Sequence, residues 1–181
     1  MILPFSTQLN GKPTYFVERI HKGITENYMI GAVDPSIHYP NDYNFIAKSK
    51  VPSKYHSVRE DKNNRWKVGA KIDFFINARQ KNMFRFAPVL PVVSTQKIEF
   101  IYKYNTENLS CLGITYDRTC TIMIDSKFYG DAYLLNNYVV SSSYTIPIFA
   151  NNDGFDTPED LFAYFNKNFN GKIIHWTELK Y

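Results

Sequence analysis

The stretch KYHSVRED at residues 54–61, followed by KNNRWKVGAKIDFFI at 62–76, carries the densest run of reactive side chains in this chain of 181 residues. If the first part is a strand, period-two alternation places Ser57 and Arg59 on the same face. EDKNN is typical of a turn, and residues 71–76 are rich in the aromatic and β-branched residues that favour strands. The stretch therefore predicts two strands around a polar turn, with its reactive groups on the first.

A helix is predicted on each side of this stretch. Residues 13–23 place apolar side chains on one helical face, and Gly23 is a typical helix stop. The sequence TPED at 157–160 supplies an N-cap threonine, a proline at the first helical position and two acids in the first turn. Apolar residues follow as far as Phe169, and KIIHW at 172–176 predicts a closing strand.

The remaining segments predict mainly strands. Alternation indicates strands near 92–104, 119–125 and 138–148, whereas 24–53 has no sustained period and predicts an insertion. Residues 77–149 are expected to hold extended strands and loops. The predicted fold class is α+β, a single domain over 1–181 with a mostly antiparallel β-barrel flanked by helices and a long insertion.

Composition excludes several classes of protein. Apolar residues make up 44% and charged residues 21%, and no apolar run approaches the ~20 residues of a membrane-spanning helix. The N-terminus lacks a signal-peptide pattern, and two cysteines cannot form a disulfide framework, so a cytoplasmic location is expected. The histidines and cysteines show no zinc spacing, and no Gly-rich phosphate loop exists. We therefore expect no cofactor, metal or membrane association.

The net charge of +4 is unevenly spread along the chain. Residues 48–103 carry 13 Lys and Arg against 4 Asp and Glu, whereas the rest carries 8 against 13. Aromatic residues are interleaved with the basic ones in this block. Lysine and arginine neutralise phosphate while aromatic rings stack on bases, so the block favours a nucleic-acid or nucleotide ligand. The structural alternative is a basic surface over an aromatic core.

The order of elements around KYHSVRED resembles the ASCH domains, which have a PUA-like β-barrel fold. The similar elements are FVERIHKG at 16–23, KYHSVRED at 54–61, RWKVG at 65–69 and KIDFF at 71–75, with NNDGFDTPEDLFAYF at 151–165 similar to the family's late helix. The resemblance covers roughly 13–23, 54–76 and 150–181. It implies a PUA-like barrel and leaves 24–53 and much of 77–149 unmatched.

The small bacterial members similar to this motif are amidohydrolases that deacetylate N4-acetylcytidine with a Lys base, a Thr nucleophile and a late Glu proton donor. Carried over by position, the resemblance implies Lys54 as the base, Ser57 as the nucleophile and Asp153 as the proton donor. Serine keeps the hydroxyl, but Asp shortens the carboxylate by one methylene, and a catalytic group misplaced by ~1 Å can cost on the order of 100-fold. Other family members are inferred to bind RNA.

Three functions follow as hypotheses. The first is binding of RNA or a modified nucleotide, the second is deacylation of an N4-acetylcytidine-like nucleoside, and the third is a protein-interaction module in which the many tyrosines contact a partner. Whether the protein is an enzyme stays open at this point. Each candidate has a structural alternative: a strand hydroxyl for Ser57, a turn for Asp153 and barrel packing for Trp66. The candidate ligand-binding residues are Lys54, Tyr55, His56, Arg59, Arg65, Trp66, Arg79, Lys81 and Arg85.

Overall fold

The computed structural model describes residues 1–9, 11–28 and 51–181. Its elements, in chain order, are β1 (Ile2–Phe5), β2 (Gln8–Leu9), β3 (Lys12–Pro13), α1 (Phe16–Tyr28), β4 (His56–Arg59), β5 (Lys71–Ile76), β6 (Phe84–Arg85), β7 (Leu90–Pro91), β8 (Ser94–Tyr104), β9 (Ser110–Cys111), β10 (Ile114–Thr115), β11 (Arg118–Ile124), β12 (Lys127–Leu135), β13 (Tyr138–Ser142), α2 (Thr145–Asn152), α3 (Pro158–Tyr164) and β14 (Phe169–His175).

The first of two compact units contains Met1–Ser57, Trp66–Thr95 and Ile174–Lys180. Its sheet has the order β1-β5-β6, with β7 also paired to β5. Strand β1 runs parallel to β5, while β6 and β7 run antiparallel to it. Helix α1 buries apolar residues at the spacing of one helical face. These join one core with residues of the strands and of the connecting segments. The core includes Phe16, Val17, Ile20 and Ile24 of α1, Leu3, Phe5, Ile72, Phe74 and Ile76 of the strands, and Trp66, Phe86 and Trp176 outside them.

The second unit contains Val58–Arg65, Gln96–Ile173 and Tyr181. It holds most of a six-stranded sheet of order β13-β12-β11-β8-β14-β4, and the unit boundary passes through β4, β8 and β14. The pairs β8–β11, β11–β12 and β12–β13 are antiparallel. Helices α2 and α3 belong to this unit. Phe100 of β8 stacks on Phe165 just after α3, with ring centroids 4.5 Å apart.

The α+β class and the mostly antiparallel strands are confirmed, and the strands include a curled, half-barrel sheet. The finer assignment to a PUA-like barrel stays a prediction. The threonine N-cap is also confirmed, because the Thr157 hydroxyl accepts a hydrogen bond from the Asp160 amide at 3.2 Å. Among the described residues, no helix is long and apolar enough to cross a membrane.

Three local expectations are wrong. Helix α1 does not end at Gly23 but continues to Tyr28, so the first residues of the proposed 24–53 insertion are helical. Residues 29–50 of that insertion lie outside the described residues. The strand expected near 138–148 ends at Ser142, and α2 follows it. Helix α3 ends at Tyr164, so Phe169 belongs to β14 rather than to the helix.

Candidate functional site

Lys54 is held in the interior of the first unit. Its backbone amide donates a hydrogen bond to the Arg19 carbonyl at 3.0 Å, just before strand β4 begins. The side chain is 1% exposed, and its ammonium lies 4.9 Å from the centroid of the Phe16 ring. An ammonium over an aromatic face is attracted by the ring quadrupole, more strongly when water is excluded. Lys54 is therefore a buried group and not an open contact for a phosphate backbone.

Helix α1 and the segment before β4 are joined by side-chain hydrogen bonds. Lys22 donates to the Val51 carbonyl at 2.9 Å. The Glu26 carboxylate accepts from the Ser53 hydroxyl at 2.5 Å and from the Tyr55 hydroxyl at 2.7 Å. Burial raises the pKa of Tyr55, the hydrogen bond with Ser53 opposes this, and Glu26 reinforces it. These bonds fix the backbone on which Lys54 sits.

Strand β4 is covered on both faces at its centre. His56 and Ser57 are fully buried, and Val58 is 2% exposed. The Ser57 hydroxyl has no hydrogen-bond partner among the residues that the structure describes. A buried hydroxyl without a partner costs free energy, so this oxygen suits a water molecule or a ligand group.

A second histidine lies beside this strand. The ring centroids of His56 and His175 are 5.3 Å apart, and both side chains are fully buried. Two residues further along, the Thr177 hydroxyl donates to the Tyr55 carbonyl at 3.4 Å. The sequence does not predict that His175 and Thr177 belong to the site, because only the fold brings this distant segment to β4.

Asp153 contacts strand β4 at Val58, the residue that follows Ser57. Asp153 is 3% exposed, follows α2, and accepts a hydrogen bond from the Val58 amide at 3.3 Å. Gly154, which comes next in the chain, adopts a φ of +85° that favours glycine. Asp153 therefore belongs to the surroundings of the motif strand within the second unit.

Arg59 completes this part of the second unit. Burial lowers the pKa of Arg59. The negative charge of Asp153 and, to a smaller extent, Tyr164 oppose this lowering of the pKa. The guanidinium stays charged, since arginine is not deprotonated in proteins. Arg59 also donates to the Val58 carbonyl at 2.9 Å. A fixed guanidinium beside a buried carboxylate can orient that carboxylate or hold an anionic group of a ligand.

The other predicted contacts divide by exposure. Trp66 is 6% exposed and belongs to the core of the first unit. Arg65 in the second unit is exposed, and Arg79 and Lys81 in the turn between β5 and β6 are exposed as well. Arg85 on β6 is half-buried. Of the predicted contacts, Arg65, Arg79 and Lys81 are thus accessible, whereas Lys54, His56 and Trp66 are inside.

The positive charge also divides between the two units. The ranges of the first unit carry 12 Lys and Arg against 6 Asp and Glu, a net +6, and those of the second carry 9 against 11, a net −2. Residues 66–95 contain five basic residues and a single acid, Asp73. Among the described residues, no group of three His, Cys, Asp or Glu side chains could hold a metal ion.

No family model, curated protein or solved structure matches this chain. The resemblance to the ASCH domains therefore depends on the motif residues alone.

Proposed function

We propose that this chain is an ASCH-like protein that binds nucleic acid or a nucleotide through the exposed basic residues of segment 66–95 in its first unit, which includes the β5–β6 hairpin. The observation that carries the proposal is the concentration of accessible cations on residues 66–95, where Lys67, Lys71, Arg79 and Lys81 are exposed and Arg85 is half-buried. This segment carries five basic residues and one acidic residue, and the positive electrostatic field of such a segment attracts phosphate and raises association rates. Half-buried Phe84 adds a ring beside Arg85 that can stack on a base.

Salt dependence tests this proposal. Affinity for a fluorescently labelled single-stranded RNA is measured by anisotropy between about 50 and 200 mM KCl. Counterion release makes log K fall by about 0.7 per phosphate contact for each tenfold rise in salt concentration. The double variant Arg79→Ala/Lys81→Ala should weaken binding and reduce the slope by about 1.4.

The matched control is Lys103→Ala/Lys127→Ala, which removes two exposed cations from the second unit. This variant should leave affinity and slope unchanged. Absence of binding to RNA and DNA, or equal losses in the two double variants, would contradict the proposal.

A second candidate function, deacylation of an N4-acetylcytidine-like nucleoside, is favoured by the state of Lys54 and Ser57. Both side chains are buried, and the Ser57 hydroxyl lacks a hydrogen-bond partner among the described residues. A surface that only contacts a phosphate backbone would gain nothing from burying them. In this hypothesis Lys54 acts as the neutral amine and takes the Ser57 proton as Ser57 attacks the acyl carbon, and Asp153 acts as the protonated acid and gives its proton to the departing amine. Water then hydrolyses the acyl-serine to acetate and free Ser57.

Incubation with N4-acetylcytidine, followed by chromatography for cytidine and acetate, tests this second function. Ser57→Ala should abolish turnover, and Asp153→Asn, which retains an acceptor for the Val58 amide, should lower it by about 100-fold or more. Ser94→Ala is the matched control, since Ser94 is also buried with a hydroxyl that lacks a partner among the described residues. Turnover that survives Ser57→Ala would refute the assignment.

A further inference from the structure

The β1-β5-β6 sheet of the first unit has an outer face that does not take part in the core. Strand β5 alternates between buried residues, which join the core, and Lys71, Asp73 and Phe75, which lie on the opposite face. In strand β1 the buried residues alternate in the same way with Ile2 and Pro4, which are exposed. The side chains of this outer face are exposed or half-buried, so the face can contact a ligand.

The register of the strands places Arg85 beside Phe75 on the outer face. The two residues are directly opposite each other in the antiparallel pair β5–β6. Residues paired in this way project from the same face of a sheet, with Cβ atoms about 5 Å apart. On the other side, Pro4 of the parallel strand β1 is the partner of Phe75. A half-buried aromatic ring therefore lies between an exposed proline and a half-buried arginine.

The Phe75 ring and the Arg85 guanidinium are both available to a ligand. Among the described residues, Phe75 contacts no other aromatic ring and does not belong to the core of the first unit. Phe84, the other phenylalanine of this hairpin outside the core, packs against that core, so Phe75 is the better placed of the two rings. The Arg85 side chain forms no hydrogen bond or ion pair with any residue that the structure describes.

The charge of the outer face favours an anionic chain. Strands β1, β5, β6 and β7 contain two basic residues, Lys71 and Arg85, and one acid, Asp73. The Asp73 carboxylate is paired with the Met1 ammonium at 3.2 Å, so it does not offset the two cations. Lys71 lies four residues before Phe75, about 13 Å along the strand. A ligand with negative charges along its chain and a flat ring between them is complementary to this face.

From this arrangement we infer that the outer face binds single-stranded nucleic acid, with one base stacked on Phe75 and phosphates held by Arg85 and Lys71. An aromatic side chain stacks on a base whose flat face is uncovered, whereas the base pairs of a duplex cover one another. The choice of nucleic acid rests on the proposed function. The inference adds that the bound strand is unpaired, and it names the ring that contacts its base.

The variant Phe75→Trp reports the stacking directly through its fluorescence. The two native tryptophans, Trp66 and Trp176, are buried, so the introduced indole is the accessible one. Titration of this variant with oligouridylate should quench its fluorescence until binding saturates, because the base lies against the indole. The unmodified protein, titrated in parallel, should show a smaller change. Equal quenching in the two proteins, or none in the variant when anisotropy shows saturated binding, would overturn the inference.

Removal of the ring tests the inference through affinity. Phe75→Leu should weaken oligouridylate binding by at least about fivefold, the lower end of the effect of one stacked base. The slope of affinity against salt should not change, since no charge is removed. Duplex RNA of the same length should lose less affinity on this substitution. Phe128→Leu, at a phenylalanine that is 61% exposed in the second unit, is the matched control and should leave affinity unchanged.

The outcomes separate this inference from the proposed function. If RNA binds in a salt-dependent manner but Phe75→Leu has no more effect than Phe128→Leu, the inference is overturned and the proposed function stands. Equal losses for single-stranded and duplex RNA in Phe75→Leu, folded by circular dichroism, would also overturn the inference alone. Absence of binding to RNA and DNA would overturn the proposed function and the inference together.

Discussion

Gly23 lies where helix α1 passes close to the backbone at Lys54 and Tyr55. A Cβ at this position would lie 2.3 Å from the Lys54 carbonyl oxygen and 3.3 Å from a ring carbon of Tyr55. The obstacle is backbone, which cannot rotate aside as a flexible side chain can. The missing side chain of Gly23 therefore permits the approach that places Lys54 in the interior.

Gly23→Ala should consequently destabilise the protein by on the order of 3 kcal/mol, since overpacking forces the helix away from the segment before β4. Chemical denaturation followed by circular dichroism measures the change. Gly69→Ala is the control: Gly69 has a φ of +82°, but a Cβ there would meet nothing within 4 Å, so only backbone strain of about 1 kcal/mol is expected. Equal losses in the two variants would show that the close approach carries no cost.

Gly23 also shows what the sequence can and cannot predict at single positions. A glycine at the end of an apolar helical face is typical of a C-terminal cap, and local pattern cannot separate a cap from a glycine that packs against distant backbone. Lys54 and Ser57 can be singled out because they sit in a recognisable motif. Glu18 carries no such signal, since an acid in the first turn of a helix is ordinary, and only its burial distinguishes it.

Among the secondary-structure elements, sequence alternation predicts the long regular strands well. It does not predict a strand that contains residues typical of turns. Strands β8 and β11 occupy almost the ranges that alternation indicates. The sequence does not predict strand β12, because Gly130 and Asp131 are typical of a turn, yet both lie inside the strand. A Cβ at Gly130 would lie 3.0 Å from Ser143, so the glycine reflects crowding near β13 rather than a reversal of the chain.

In each of the two strands at the ends of the six-stranded sheet, a backbone amide donates a hydrogen bond to a carboxylate. The Val58 amide of β4 donates to Asp153, and the Val139 amide of β13 donates to Glu159 at 3.3 Å. Unpaired amides on an outer strand invite pairing with another chain, and a carboxylate acceptor satisfies them. This supplies a structural reason for Asp153 beside its proposed role as proton donor, and explains why Asp153→Asn is a sharper test of catalysis than a change to alanine.

At the scale of the whole molecule, the second unit holds four titratable groups whose neutral forms are stabilised. Burial raises the pKa of the Cys120 thiol to about 12, although a hydrogen bond with Tyr102 opposes the shift. Burial also raises the pKa of Tyr129 to about 12, and it raises the pKa values of Tyr102 and Tyr181. These tyrosine and thiol groups of the second unit are therefore protonated at neutral pH.

Stability should fall steeply in alkali for this reason. From about pH 9 the unfolded chain releases the Cys120 proton while the folded chain retains it to about pH 12. The unfolded state then binds fewer protons, so the free energy of unfolding falls by about 1.4 kcal/mol per pH unit for each such group. Urea denaturation at about pH 8, 9 and 10 measures this fall. Cys120→Ala should make it shallower, and Cys111→Ala, at a half-buried thiol, should not. A fall of the same steepness in both variants would mean that the buried thiol contributes nothing to it.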